Sequence, residues 1–125
     1  MTTEAYRRRK LIEGQPVLVV VDILAGAFRE TEGKRAIPHM QGYGQRMAKA
    51  RQAVDTARAG QIPVVFIQEV HRPDGVDFGR ELDGDEDIHC LEDDPNTEVA
   101  AQVGYRPTDY LIRKRRYSAF FGTDL

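Results

Sequence analysis

Two residues of this chain carry chemistry that the fold could bring together. Asp22 closes the run Val17-Leu18-Val19-Val20-Val21, and Lys114 closes the run Asp109-Tyr110-Leu111-Ile112-Arg113. A carboxylate and an ammonium a few ångströms apart keep each other charged, so the first can act as a base and the second can stabilise developing negative charge. The competing reading is a structural ion pair that closes a sheet edge. Cys90 is the chain's one thiol. Its reactive form is the thiolate, and Glu86, Asp87, Glu92, Asp93 and Asp94 all lie within four residues of it, which disfavours that form. His89 is adjacent in sequence, but neighbouring side chains generally point apart. Cys90 is therefore expected to be a partly buried structural thiol or a substrate-loop residue.

For Asp22 and Lys114 to converge, both must lie at carboxyl ends of strands in one open parallel sheet, where ligands bind. The mostly β-branched run ending at Val21 reads as a strand buried on both faces. Tyr43, Met47, Ala50, Val54 and Ala57 recur at three- and four-residue steps between Gly42 and Gly60, which predicts an amphipathic helix stopped by Gly60. Pro63-Val64-Val65-Phe66-Ile67 reads as a second buried strand and 109–114 as a third. Strand, helix, strand is the order of a parallel crossover, so the fold class is α/β, a parallel sheet with flanking helices. Residues 68–108 form a long polar connection in which 95–103 could hold a short helix. Ser118-Ala119-Phe120-Phe121-Gly122 reads as a helical turn closed by glycine, and Thr123-Asp124-Leu125 as the start of another helix. Three parallel strands with one strong helix leave sheet edges and faces uncovered. Residues 1–125 are therefore expected to be the N-terminal part of one larger domain.

Composition narrows the partners. Eighteen Lys and Arg against twenty Asp and Glu give a formal charge of -2, so no global field draws the chain to nucleic acid or an anionic membrane. Eight of the twenty acids crowd into Glu81–Asp94, and Arg113-Lys114-Arg115-Arg116 forms a basic block. Such runs are usually solvated faces, and these two can meet each other or a neighbouring subunit. Arg7-Arg8-Arg9-Lys10 is expected to decorate a short N-terminal helix. A single cysteine excludes an intrachain disulfide and points to a reducing compartment. With no signal-peptide pattern and no apolar run near about 18 residues, a cytoplasmic protein is expected.

The segments Val19-Val20-Val21-Asp22, Ala59-Gly60-Gln61-Ile62-Pro63-Val64-Val65-Phe66 and Ile112 to Leu125, with its Lys114, Ser118-Ala119-Phe120 and Gly122-Thr123-Asp124-Leu125, resemble successive signatures of the isochorismatase-like cysteine hydrolases. The resemblance runs from about residue 14 to 125 and leans toward the N-carbamoylsarcosine amidohydrolase-like members. It implies an Asp-Lys-Cys triad in which Asp22 and Lys114 match the first two members. The family's cysteine follows the lysine segment at a strand-to-helix turn, so it lies outside these residues, and Cys90 does not match it. The resemblance further implies hydrolysis of a small amide or carbamoyl compound, no organic cofactor and assembly as a homo-oligomer. A C-terminal half or companion chain would complete the site, and this chain alone is expected to be inactive.

Nicotinamidases of the same family hold a divalent metal with Asp-x-His and a further His. Here Glu69 takes the first place, Arg72 follows His71 and the reading finds no second imidazole in the loop, so no metal is expected. His71 and Arg72 are instead expected to line or cap the pocket entrance. Relatives carry an aromatic five positions after the aspartate; Phe28 stands six after Asp22 and is the candidate for substrate contact. Two alternatives remain at this point, a receiver-like signalling domain and a noncatalytic fragment or pseudoenzyme used for assembly.

Overall fold

The computed structural model describes residues 12–28 and 37–125. The basic run Arg7–Lys10 lies outside them. Three strands, β1 (Leu18–Val21), β2 (Val64–Glu69) and β3 (Tyr110–Lys114), form one sheet in the order β1-β2-β3, and both pairings are parallel. The register aligns Val20 with Phe66 and Phe66 with Leu111, and further along it aligns Glu69 with Lys114. All three strands therefore end on the same side, as the sequence predicts. β2 continues two residues past the predicted Ile67, which brings Glu69 into the sheet.

Helix α1 (Tyr43–Ala59) links β1 to β2. Its predicted stripe faces inward: Val54 and Ala57 are buried, and Tyr43, Met47 and Ala50 are half-buried. Val54 and Ala57 pack with Val20, Val64, Phe66 and Val103 in the main core, and the Tyr105 ring meets Phe66 edge-on at 5.1 Å. The helix ends at Gly60 as expected, but the left-handed residue is the next one, Gln61, at φ 56°. The Ile62 N–H then reaches back to the Ala57 carbonyl at 2.8 Å, which satisfies an end carbonyl of the helix. Arg58 in the last turn donates two 2.8 Å bonds to Asp109 and one of 2.7 Å to the Gly104 carbonyl, tying the helix to the entry of β3.

The long connection is folded back on the sheet rather than looping free. Instead of one helix over 95–103 there are two three-ten turns, Pro95–Thr97 and Ala101–Val103. Pro95 cannot donate, Asp94 caps the first turn by accepting from the Asn96 N–H at 2.9 Å, and Glu98 leaves it extended. Val99 then bridges Leu24, and the Gln68 side-chain amide donates to the Thr97 carbonyl at 2.7 Å. Gly26 sits where these pieces meet: a Cβ there would lie 2.5 Å from Ile37 and 2.6 Å from Asn96. Earlier in the connection, the His71 N–H donates to the Cys90 carbonyl at 2.7 Å and the Glu92 N–H returns to the His71 carbonyl at 2.9 Å. That short parallel bridge lays residues 89–92 beside the end of β2.

Candidate active site

The carboxyl ends of the three strands converge as the chemistry requires. Lys114 Nζ lies 2.7 Å from Asp22 Oδ2, with the lysine side chain 3% exposed and the aspartate 30%. The ammonium also donates to the Tyr117 carbonyl at 2.6 Å, so two acceptors fix it. Asp22 is fixed from the other side, its Oδ1 accepting the Glu69 N–H at 2.9 Å. Its backbone takes φ 55°, a left-handed conformation that aspartate tolerates better than most residues, and its own N–H still donates to the Ile67 carbonyl at 2.9 Å. Burial pushes the Asp22 carboxyl above its usual value, against Lys114, which pulls it down. A carboxylate raised in this way is a better proton acceptor than a solvated one.

Behind this pair lies a second ionic group. His89 Nε2 stands 3.3 Å and His71 Nε2 3.0 Å from the same oxygen of Glu69, and all three residues are buried. Burial alone would push Glu69 up, but the hydrogen bonds from His71 and His89 outweigh it and hold the carboxyl at about 2. In return the hydrogen bond to Glu69 raises His89 to about 9 against its burial, with the Asp87 carbonyl helping. The sequence reading missed His89 because the second imidazole stands 18 residues beyond His71; the fold-back of the connection delivers it. Glu69, His89 and Cys90 each place a donor atom within 4.8 Å of the others and could together hold a metal ion. His71 Nδ1, buried without a hydrogen-bond partner, faces Asp77 at 3.7 Å.

A cavity of about 190 Å³ opens between these groups, lined by Asp22, Leu24, Ile37, Pro38, Glu69, Glu86, His89, Cys90 and Tyr117. Two expectations change here. Phe28 does not line this cavity; its ring packs on Tyr43 at 5.0 Å, and Leu24 is the residue of that segment in the wall. His71 is fully buried and stacked on Phe78 at 3.9 Å rather than capping the entrance, because the bridge to Cys90 and Leu91 covers it. Cys90, expected as a partly buried structural thiol or a substrate-loop residue, is buried in the wall at φ 57°. Its thiol is nevertheless pushed well up, by burial first and then by the charges of Glu69 and Asp22, so it is held as the poorly nucleophilic S–H form.

The two charge blocks meet within the chain. Arg115 pairs with Glu92 at 2.7 Å and Asp77 at 3.2 Å, and the Tyr117 hydroxyl donates to Glu86 at 2.6 Å. The residues just after Lys114 thus hold the acidic segment over the cavity.

The sequence model of the Isochorismatase domain matches residues 16–125. The chain belongs to the isochorismatase family. That membership takes the place of the receiver-like alternative. Among solved structures it is similar to N-carbamoylsarcosine amidase from Thermoplasma acidophilum, at 28% identity and a TM-score of 0.66 over 90% of this chain and 58% of that one. An isochorismatase family protein from Burkholderia thailandensis is also similar, at 28% identity and a TM-score of 0.65 over 87% of this chain and 54% of that one. A cysteine hydrolase from Pseudomonas syringae pv. phaseolicola shares the fold, at 22% identity and a TM-score of 0.64 over 94% of this chain and 56% of that one. The chain thus spans little more than half the length of these structures. No curated protein matches it significantly. Among the described residues, no helix is long and apolar enough to cross a membrane.

Proposed function

We propose that this chain is the Asp-Lys part of a cysteine-dependent hydrolase that cleaves a C–N bond of a small amide or carbamoyl compound, with the nucleophilic cysteine on polypeptide outside these 125 residues. The observation that carries the reading is the 2.7 Å contact between Lys114 and Asp22 at the wall of a cavity. The likeness to an N-carbamoylsarcosine amidase supports the substrate class.

In the complete enzyme, Asp22 takes the proton of the incoming thiol and the thiolate adds to the substrate carbonyl carbon. Lys114 keeps Asp22 ionised before the transfer and faces the negative charge that develops during it. The C–N bond then breaks as Asp22 returns its proton to the leaving nitrogen. Water, deprotonated by Asp22, hydrolyses the thioester and regenerates the thiol. Cys90 is not the nucleophile, because its surroundings hold it protonated.

Native mass spectrometry of the purified protein, followed by an ammonia-release assay on small amides, tests the proposal. A companion polypeptide with a cysteine at a strand-to-helix turn, and hydrolysis by the complex, is the expected result. Hydrolysis by the 14.1 kDa chain alone would overturn the assignment of the nucleophile.

A further inference from the structure

A lysine ammonium stands at the end of a flexible four-carbon stem, so a single acceptor leaves its direction loosely set. Lys114 has two, the Asp22 carboxylate at 2.7 Å and the Tyr117 carbonyl at 2.6 Å. The second can aim the ammonium only if the Tyr117 carbonyl is itself held. Residues 115–118 run past the end of β3, outside helix and strand, so side chains have to fix that turn.

Three consecutive residues of the turn reach back to the connection after β2. Arg115 donates to the Val70 carbonyl at 3.0 Å and pairs with Glu92, and Arg116 donates to the Asp77 carbonyl. The Tyr117 hydroxyl donates to Glu86 Oε2 at 2.6 Å, with the Glu81 carbonyl 3.1 Å away. The hydrogen bond to Glu86 pushes the pKa of this hydroxyl up, so it remains an O–H donor at neutral pH. Glu81 is a firm partner, being 3% exposed with its Oε2 accepting the Gly79 N–H at 2.6 Å. Tyr117 is the anchored residue whose carbonyl meets the ammonium, and it also lines the cavity. One end of it grips the acidic segment and the other grips Lys114.

Resting on the reading of Asp22 and Lys114 as the catalytic pair, we infer that Tyr117 is a positioning residue for the hydrolase: its hydroxyl, held by Glu86 and the Glu81 carbonyl, fixes the carbonyl that aims Lys114 at Asp22. The acidic segment over the cavity is thereby tied to the pair at its wall.

NMR of the purified protein tests this without any turnover, reading the Lys114 ammonium, the Asp22 side-chain carboxyl and, as a reference in the core, the Phe66 amide. Tyr117→Phe keeps the ring and removes the hydroxyl. Water exchange of its Lys114 ammonium is expected to be about three- to tenfold faster, the worth of one hydrogen bond. The Asp22 titration midpoint should move up, because its cation is held less firmly, while the Phe66 amide exchanges as in the wild type. Glu86→Gln, whose amide oxygen still accepts from the hydroxyl, should leave ammonium exchange within about twofold of the wild type. Unchanged ammonium exchange or an unmoved Asp22 midpoint in Tyr117→Phe would overturn the inference. So would an equal acceleration at Phe66, which a purely structural role would give, or a Glu86→Gln variant that behaves like Tyr117→Phe. Such a failure would leave the hydrolase reading intact, since that reading stands or falls on turnover by the complete enzyme.

Discussion

Lys114 owes its place to two acceptors, and its removal leaves Asp22 buried without its cation. Lys114→Ala should therefore destabilise the chain by about 3 kcal/mol, the lower end for breaking a buried pair because Asp22 keeps some solvent, as checked by urea unfolding. The Glu69–His89 pair predicts a pH profile. Glu69 falls from 4.5 to about 2 in the folded chain, so its contribution is full above pH 4.5 and is lost as pH falls through about 2. His89 rises from 6.5 to about 9, so its contribution is full below pH 6.5 and is lost as pH rises through about 9. These are two views of one interaction. Together they predict a stability plateau between pH 4.5 and 6.5 and a decline above it, which His89→Gln should abolish in urea titrations across that range. A His89→Gln variant with the wild-type decline would show that the pair does not couple to folding.

The strands and α1 were readable because their patterns are local. An unbroken β-branched run has few alternatives to a strand, although β1 buries only Val20 and leaves Val19 and Val21 exposed instead of being buried on both faces, and a three- and four-residue apolar stripe has few alternatives to a helix face. Asp22 and Lys114 inherited that legibility from the strands they close. The wall of the cavity did not, because it comes from a connection whose path is set by non-local bonds: His71 to Cys90, Gln68 to Thr97 and Val99 to Leu24. No spacing rule links His89 to Glu69, and the one-residue shift of Phe28 could not be resolved until the three-ten turn at Ala25–Phe28 was in place. One such non-local tie is easily tested. Arg58→Ala, which removes the paired bonds to Asp109 from partners 20% and 9% exposed, should cost about 2 kcal/mol in thermal or urea unfolding. A loss no larger than that of an ordinary surface change would mean that α1 does not need the tie.

Over the whole molecule, α1 and the second three-ten turn cover one face of the sheet, while Val19 and Val21 on the other side of β1 are 37% and 50% exposed. Tyr110 and Phe120 add apolar surface at 54% and 78% exposure. Parallel sheets are found with both faces covered, and this chain covers only 54% and 58% of the similar solved structures from Burkholderia thailandensis and Thermoplasma acidophilum. Purified alone, the chain should therefore bind an apolar fluorescent dye and self-associate in gel filtration; a monodisperse monomer that ignores the dye would contradict this. Its completion by further polypeptide is part of the proposed function, and so the most direct test is made on the complete enzyme. Turnover of small amide and carbamoyl compounds should be compared between the wild type and Asp22→Asn at equal, verified folding. The account predicts a loss of about 10²- to 10⁴-fold in kcat, the usual contribution of a positioned general base. Wild-type turnover by Asp22→Asn would contradict it.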